Sequence, residues 1–206
     1  MISNFNEKLD KMFPDARCEL NYNKDYELLI ATVLSAQCTD KRVNEVTSVL
    51  FSKYDLEGLA KAKKSDIENI IRSCGSYTKK SSYIIHIAQA LIKDCNGKVP
   101  NDRTYLEKLP GVGWKTANVV LSNIYDVQAI AVDTHVERVS KRLKLAFKND
   151  DVLKVEKKLM KKIPKDKWSK SHHQMVLFGR YICKAIKPEC SNCQFIHDCT
   201  SKDKRI

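Results

Sequence analysis

The stretch Leu109-Pro110-Gly111-Val112-Gly113-Trp114-Lys115 decides how the fold of this chain is interpreted. It separates two stretches of helical character, at about Arg103–Lys108 and Trp114–Tyr125. Pro110 is expected to end the first helix, and the two glycines permit backbone conformations that are closed to other residues. Because glycine has no Cβ, the backbone can approach a surface closely, and the amides that open the second helix can point toward an anion. The pattern predicts a helix–hairpin–helix over about 103–125, and a plain Pro–Gly turn between helices is the alternative.

Lys115 follows this hairpin, in the first turn of the second helix. Backbone amides at such a helix start suit a DNA phosphate that is held without regard to base sequence. The positive end of the helix dipole and partial burial would both disfavour a charged ammonium at this position. A neutral amine beside a bound phosphate is a competent nucleophile toward a sugar carbon, with a Schiff base as the product. The alternative is a surface lysine that only contacts phosphate.

Asp133 marks a second candidate site, in Val132-Asp133-Thr134-His135. It is well placed to N-cap the helix that carries Val136 and Val139, which is the ordinary role of an Asp at such a position. A carboxylate at a helix start can also orient Lys115, or stabilise positive charge on a sugar during glycosidic cleavage. The two roles are compatible.

Apolar residues recur at helical spacing along most of the chain. Six glycines and five prolines leave few positions for tight hairpin turns. We therefore predict about ten helices, no sheet, and an all-α fold. The clearest apolar stripes are Leu28/Leu29/Thr32/Val33, Val43/Val46/Val49/Leu50, Ile84/Ile87/Ala88/Leu91 and Val136/Val139/Leu143.

The net charge of +12, from 37 Lys and Arg against 25 Asp and Glu, favours a polyanionic partner. A cationic surface gains free energy from the counterions that it releases from a nucleic acid. Since 29 of the 37 basic residues are Lys, a solvated lysine-rich surface is the alternative. The N-terminal residues resemble no signal peptide, and no apolar stretch approaches the ~20 residues of a membrane span, so we expect a cytoplasmic protein without a membrane partner.

Four of the eight cysteines lie within seventeen residues, as Cys183-x6-Cys190-x2-Cys193-x5-Cys199. In a reducing compartment, four soft thiolates at this spacing indicate a metal site rather than disulfides. Zinc modules usually show two tight cysteine pairs. This run has one closely spaced pair, Cys190 and Cys193, flanked by longer spacings on both sides. The pattern favours an iron–sulfur cluster, and a zinc site is the alternative. Lys184 and Lys187 lie in the loop after the first ligand, where their ammonium groups could contact a phosphate backbone.

Together these features resemble the endonuclease III family of helix–hairpin–helix DNA glycosylases. The resemblance covers essentially the whole chain and is carried by three segments in this order besides the cysteine spacing: Leu34-Ser35-Ala36-Gln37-Cys38-Thr39-Asp40, Leu109 to Asn118, and Ala131-Val132-Asp133-Thr134-His135. It implies a bifunctional glycosylase and AP lyase that removes oxidised or ring-damaged pyrimidines from double-stranded DNA. It also implies one structural [4Fe-4S] cluster, a monomer, and a nucleoid-associated protein. The Lys- and Asn-rich composition and the short termini further indicate a bacterial or archaeal source.

The resemblance further implies a six-helix domain at 21–126 and a cluster domain made of 1–20 and 127–206, with DNA in a cleft between them. By the same comparison Lys115 attacks C1′ of the damaged nucleotide, Asp133 is its acidic partner, and β-elimination breaks the strand 3′ to the lesion. The resemblance implies that Gln37 fills the gap left by the flipped base and that His135 contacts the DNA backbone. The other predicted DNA contacts are Asp40, Tyr77, Gly111, Gly113, Lys184 and Lys187.

Two residues depart from the family pattern. Trp114 stands where the best-known members carry Arg, which removes a phosphate contact or replaces it with stacking. Ser76 stands where many members place a Leu that wedges into the duplex. Because Ser cannot wedge, we hypothesise that Tyr77 substitutes for it.

Three other functions are open to a chain of this type. Adenine mismatch glycosylases generally lack the lysine and carry a further C-terminal domain, whereas this chain has Lys115 and stops seven residues after Cys199. Thymine mismatch glycosylases are closer in length but also lack the lysine. A non-catalytic DNA-binding protein stabilised by a metal would need neither Lys115 nor Asp133.

Overall fold

The computed structural model describes residues 4–205, which form two compact units. One unit is the continuous segment Glu19–Tyr125. The other combines the described residues up to Cys18 with those from Asp126 onward. The predicted cluster domain includes Met1–Ser3 and Ile206, which lie outside the described residues.

The continuous unit contains seven helical segments, one more than the six predicted for this domain. They are α2 (Asp25–Leu34), α3 (Asp40–Lys53), α4 (Leu56–Lys61), α5 (Lys64–Ile71), α6 (Tyr77–Cys95), α7 (Arg103–Leu106) and α8 (Trp114–Tyr125). Helix α2 is buried at every position from 26 to 34, as expected of a helix that is apolar all round. It packs against α3, α6 and α8, and so forms the centre of this unit.

The second unit is built from the two ends of the described chain. Its helices are α1 (Phe5–Met12), α9 (Thr134–Arg142), α10 (Val152–Lys162) and α11 (Trp168–Leu177), and a π-helical turn at Phe178–Ile182 follows α11. A core of buried side chains includes Phe5, Leu9, Val136, Phe178 and Phe195, and three of the candidate cluster cysteines pack against it. Distant segments of the sequence therefore share one core.

The all-α prediction is confirmed, since residues 4–205 contain helices and no strand. The predicted apolar stripes are buried with one exception. Val49 is 47% exposed on the outer face of α3, so the prediction for this residue is wrong. Its neighbour Leu50 takes the buried position instead, because successive residues of a helix point about 100° apart. Among the described residues no helix is long and apolar enough to cross a membrane.

Candidate functional site

The hairpin predicted at 109–113 joins α7 to α8, but the first helix is shorter than expected. Helix α8 spans the predicted residues Trp114–Tyr125, whereas α7 ends at Leu106 rather than next to Pro110. The amides of Lys108 and Leu109 bond to carbonyls three residues earlier, so tight turns replace the end of the helix. Pro110 disfavours helical backbone at Leu109 and so keeps these turns from extending into a longer helix.

The two glycines of the hairpin differ in whether their backbone conformation and surroundings would allow a side chain. Gly111 has φ +80°, and a Cβ added there would lie 2.6 Å from Cδ2 of Tyr83. The expected conformational freedom is therefore required at Gly111. Gly113 has no positive φ, so this part of the prediction is wrong for Gly113, and an added Cβ would meet nothing within 4 Å. A side chain at 113 would project into open space, where only a molecule approaching from outside could meet it.

Lys115 lies in the first turn of α8 and is exposed. The predicted partial burial of its side chain is therefore wrong. Its position is fixed by the start of the helix, where the amide of Ala117 donates to the carbonyl of Gly113 over 3.0 Å. The amides of the first turn have no acceptor within the helix and face the same end of it. This arrangement presents an amine beside a set of anion-binding donors.

Trp114 is 44% exposed and stacks on a guanidinium from the start of α7. The Cζ atom of Arg103 lies 4.1 Å from the centre of the indole ring, which is within the range of a cation–π contact. Where the best-known members of the resembled family carry Arg at position 114, this chain thus has an aromatic ring with an arginine beneath it.

Asp133 caps α9, as the sequence predicts. Its Oδ1 accepts hydrogen bonds from the amides of His135 (2.9 Å) and Val136 (2.8 Å). Both of these capping bonds are accepted by Oδ1. The side chain is half-buried, and it lies at the N-terminal, positive end of the α9 dipole.

Two exposed segments of the continuous unit carry the predicted DNA contacts near its surface. Gln37 lies between α2 and α3 with φ 57°, and Asp40 is the first residue of α3. Ser76 lies before α6 with φ 56°, and Tyr77 is the first residue of that helix. Gln37 and Ser76 are both exposed non-glycine residues in the left-handed region, a conformation often found where a backbone is held for binding.

The structure brings these two segments together through Lys80, a residue that sequence reasoning missed. Lys80 is 5% exposed, and its ammonium donates to carbonyl oxygens in both segments. A lysine in the first turn of a helix gives no sequence signal of burial, and backbone acceptors leave no trace in the sequence. Only the tertiary fold shows this contact.

The four cysteines Cys183, Cys190, Cys193 and Cys199 line one cavity. Its other walls are largely apolar and include Phe178, Ile182 and Ile196. Among the described residues, no group of three or more His, Cys, Asp or Glu side chains is arranged to hold a single metal ion. The cavity nevertheless fits the predicted group in its chemistry: four thiols face one space, shielded by apolar side chains.

Backbone and guanidinium donors also approach these sulfurs. The amide of Arg205 donates to Sγ of Cys190 over 3.3 Å, and Nη1 of Arg142 lies 3.4 Å from Sγ of Cys183. Donors of this kind stabilise thiolate sulfur and tune a bound cluster. These donors lie where a cluster bound to the cysteines would place its negatively charged sulfur.

Arg138 and Arg142, one turn apart on α9, form a second feature that sequence reasoning missed. Arg138 donates to the carbonyls of Gly179 (2.6 Å) and Cys183 (3.1 Å), and Arg142 donates to the carbonyl of Lys184 (2.6 Å). The helix that Asp133 caps thus holds the segment that carries the first candidate ligand. The i, i+4 spacing of the two arginines on α9 was the only available sequence signal.

The remaining predicted contacts lie in the same unit. His135 is half-buried, with Nδ1 3.3 Å from Nη2 of Arg138, and it packs against Gly179, where an added Cβ would lie 2.8 Å from the histidine Cβ. Lys184 forms an ion pair with Glu189 over 2.9 Å, which offsets part of its charge. Lys187 is exposed with φ 51°.

Comparison with known proteins relates the chain to a family of repair enzymes. Residues 30–165 match the HhH-GPD superfamily of base excision DNA repair proteins. Endonuclease III of Bacillus subtilis (strain 168) is 49% identical over 200 residues, which is 97% of this chain and 91% of that protein. Endonuclease III of Escherichia coli (strain K12) is 41% identical over 192 residues, covering 93% and 90% of the two chains.

Solved structures give the same result. A trapped covalent endonuclease III–DNA intermediate, an estranged-adenine complex, is 54% identical with a TM-score of 0.90, covering 94% of this chain and 92% of that one. A thermostable thymine-DNA glycosylase, 24% identical with a TM-score of 0.76, shares the fold. These matches cover nearly the whole chain. They agree with the hairpin before Lys115 and with the N-cap that Asp133 forms on α9. The chain belongs to the endonuclease III family, within the HhH-GPD superfamily of base excision DNA repair proteins.

Proposed function

We propose that this protein is a bifunctional DNA glycosylase and AP lyase that removes oxidised or ring-damaged pyrimidines from double-stranded DNA and cuts the strand 3′ to the resulting abasic site. The observation that carries the proposal is Lys115, an exposed amine in the first turn of α8 behind a hairpin that leaves open space at Gly113. A monomer is expected to suffice, and a chromosomal substrate implies action at the nucleoid of a bacterium or archaeon.

In the proposed reaction, Nζ of Lys115 attacks C1′ of the damaged nucleotide while the N-glycosidic bond breaks. The base leaves with the bonding electrons and takes up a proton from water. Opening of the sugar ring at O4′ converts the new C1′–Nζ bond into a protonated Schiff base. Loss of a proton from C2′ then allows the C3′–O3′ bond to break, and the phosphate leaves with the electron pair.

Asp133 is proposed to stabilise positive charge on the sugar and to orient the Lys115 amine. Lys115 belongs to the continuous unit and Asp133 belongs to the other unit. The capping bonds to Oδ1 hold the carboxylate in place, since rotation of the side chain would break two hydrogen bonds. Preorganised charge of this kind acts without further reorganisation when the transition state forms.

DNA binding is proposed to combine phosphate contacts with contacts to the opened duplex. The hairpin glycines, Lys184, Lys187 and His135 would hold the backbone. Gln37, Asp40 and Tyr77 would lie at the extruded nucleotide, and Tyr77 would replace the missing wedge at Ser76. The net charge of +12 supports the phosphate contacts.

We further propose that Cys183, Cys190, Cys193 and Cys199 hold one [4Fe-4S] cluster. The shared cavity, the apolar walls and the donors to sulfur support the assignment. When bound, the cluster would supply four covalent links that fix the C-terminal segment, and no redox step is needed in the reaction above. Purified protein should be coloured and contain iron and acid-labile sulfide in equal amounts, and zinc alone would contradict this proposal.

Borohydride trapping tests the proposed activity. Borohydride reduces a Schiff base to a stable amine, so the protein should become covalently attached to a duplex that contains thymine glycol. Lys115→Gln should retain DNA binding and give neither adduct nor strand cleavage. An A:G mismatch duplex is the control substrate and should give no product. Base removal that persists in Lys115→Gln would instead identify a glycosylase that does not use this lysine.

A further inference from the structure

Lys80 is a buried lysine outside the proposed reaction. Its Nζ donates to the carbonyls of Leu34 (2.9 Å), Ala36 (2.7 Å) and Cys74 (3.4 Å). An ammonium has three protons, so three backbone acceptors use its full donor capacity. Among the described residues, every hydrogen-bond partner of Nζ is a backbone carbonyl, and the ammonium has no carboxylate partner.

The position of Lys80 is electrostatically costly. Burial lowers the pKa of Lys80, with the thiols of Cys74 and Cys38 acting in the opposite direction. The residue also lies in the first turn of α6, at the positive end of that helix. The carbonyl of Leu34 offsets part of the cost of burying this charge. It is the last carbonyl of α2, lies at the negative end of that helix, and accepts no hydrogen bond within it.

The two segments that Lys80 joins are those that carry Gln37 and Tyr77. Ala36 immediately precedes Gln37, and Cys74 lies three residues before Tyr77. The side chain of Gln37 is exposed while the neighbouring backbone is tied to the buried ammonium. Lys80 therefore fixes the backbone spacing between two surface segments that are about 40 residues apart in the sequence.

Cys38 and Cys74 provide a second contact between these segments. Burial, followed by a hydrogen bond with the thiol of Cys38, raises the pKa of Cys74 to about 12. The Cys74 thiol therefore stays neutral, and the contact between the two thiols is weak compared with three bonds from a charged donor. The ammonium of Lys80 is the dominant link.

We infer that Lys80 is a positioning residue for base extrusion, because one buried ammonium sets the distance between the segment that fills the gap and the segment that wedges the duplex. The inference rests on the proposed function. It assigns Lys80 to the step in which a base leaves the helix and assigns it no part in the chemistry at C1′. Loss of this link should therefore harm only those substrates from which a base must be extruded.

The test compares two duplexes under single-turnover conditions. One contains thymine glycol opposite adenine, from which a base must be extruded, and the other contains a preformed abasic site, which has no base to extrude. Lys80→Met keeps an unbranched side chain as far as Cε and removes the donors of Nζ. A misplacement of about 1 Å can cost ~100-fold in rate, so we expect Lys80→Met to lose about 10- to 100-fold on thymine glycol and less than about 3-fold on the abasic duplex.

Lys93→Met is the matched control. Lys93 is exposed in the last turn of the same helix, roughly 20 Å along its axis from Lys80, and its loss removes the same charge. This variant should cleave both duplexes at the rate of the parent protein. A fluorescent 2-aminopurine opposite the lesion gives an independent signal of extrusion, which should fall in Lys80→Met and not in Lys93→Met.

Lys80→Arg covers the case in which Lys80→Met does not fold. It keeps the charge, but a planar guanidinium cannot direct its donors to three carbonyls that converge on one point. Its rate on thymine glycol should fall by a larger factor than its rate on the abasic duplex. Equal losses on both duplexes would overturn the inference and leave the proposed function standing. A parent protein that cleaves neither duplex would overturn the proposed function itself.

Discussion

Gly111 and Gly113 lie two residues apart and differ in what a methyl group at each position would meet. Gly111→Ala should lower the free energy of unfolding by about 1–3 kcal/mol, because φ is +80° and the Cβ would clash with Tyr83. Gly113→Ala should cost less than about 1 kcal/mol, the difference between Gly and Ala at a helix start. Urea unfolding of both variants measures these losses.

DNA affinity should rank the same two variants in the opposite order. Gly113→Ala places a methyl group in the open space where a phosphate would approach, so we expect binding to an abasic-site duplex to weaken about 10-fold, or ~1.4 kcal/mol. Folded Gly111→Ala should bind with less loss than Gly113→Ala. Unchanged affinity in Gly113→Ala would contradict the assignment of this hairpin to phosphate binding.

Asp133 has two roles that one substitution can separate. Asn is as good an N-cap as Asp, so Asp133→Asn should retain the bonds from His135 and Val136 and melt within a few degrees of the parent. The lost charge should lower the single-turnover rate by about 100- to 1,000-fold. Asp151 also caps its helix, α10, through Oδ1, which accepts from the amide of Lys154 at 2.8 Å, so Asp151→Asn is the control. An unfolded Asp133→Asn, or one with the rate of Asp151→Asn, would show that capping is the main role of Asp133.

At the scale of the element, α9 connects the proposed catalytic carboxylate to the cysteine segment. Arg142 holds the carbonyl of Lys184 and approaches the sulfur of Cys183. Arg142→Met should therefore loosen the first ligand segment, and we expect the cluster to be lost several-fold faster under oxidant and chelator, followed by visible absorption. Lys141→Met on the same helix removes an ion pair with Glu137 instead and should lose its cluster at the parent rate. Equal rates in both variants would contradict the proposed role of Arg142.

The sequence predicts elements better than it predicts contacts between them. The bounds of α8 and the cap of α9 follow from local signals, namely the glycines before Trp114 and an Asp before an apolar stripe. The length of α7 does not, because the turns at 107–109 depend on how the chain leaves the helix toward Pro110. The sequence also does not predict the burial of Lys80 or the exposure of Lys115, since both depend on which other parts of the fold surround the start of the helix.

At the scale of the whole molecule, one histidine makes stability depend on pH. Burial lowers the pKa of His173 to about 4 from its ordinary 6.5. The unfolded chain therefore takes up a proton that the folded protein excludes, and stability falls as the pH is lowered from 6.5 to 4. The loss should be on the order of 1–3 kcal/mol, discounted because the side chain is only partly buried.

Denaturant unfolding between pH 4 and 7 measures this loss, and His173→Asn should flatten the profile. Asp10→Asn is the control, because hydrogen bonds from Lys170 and Gln174 lower the pKa of Asp10. Its contribution is lost only as the pH falls below the ordinary Asp value of about 3.9, outside the window of His173. A pH profile of His173→Asn identical to that of the parent would assign the loss to other groups.

The packing of α1 has a consequence for synthesis on the ribosome. The ring centroids of Phe5 and Phe195 lie 5.4 Å apart, and Asn6 donates to Ser171 over 2.7 Å. During synthesis α1 therefore emerges before Ser171 and Phe195, and the continuous segment Glu19–Tyr125 emerges between them and can fold first. Until Phe195 has been synthesised, the apolar face of α1 lacks part of its cover, so a polypeptide that stalls before this residue would expose Phe5 to chaperones and proteases.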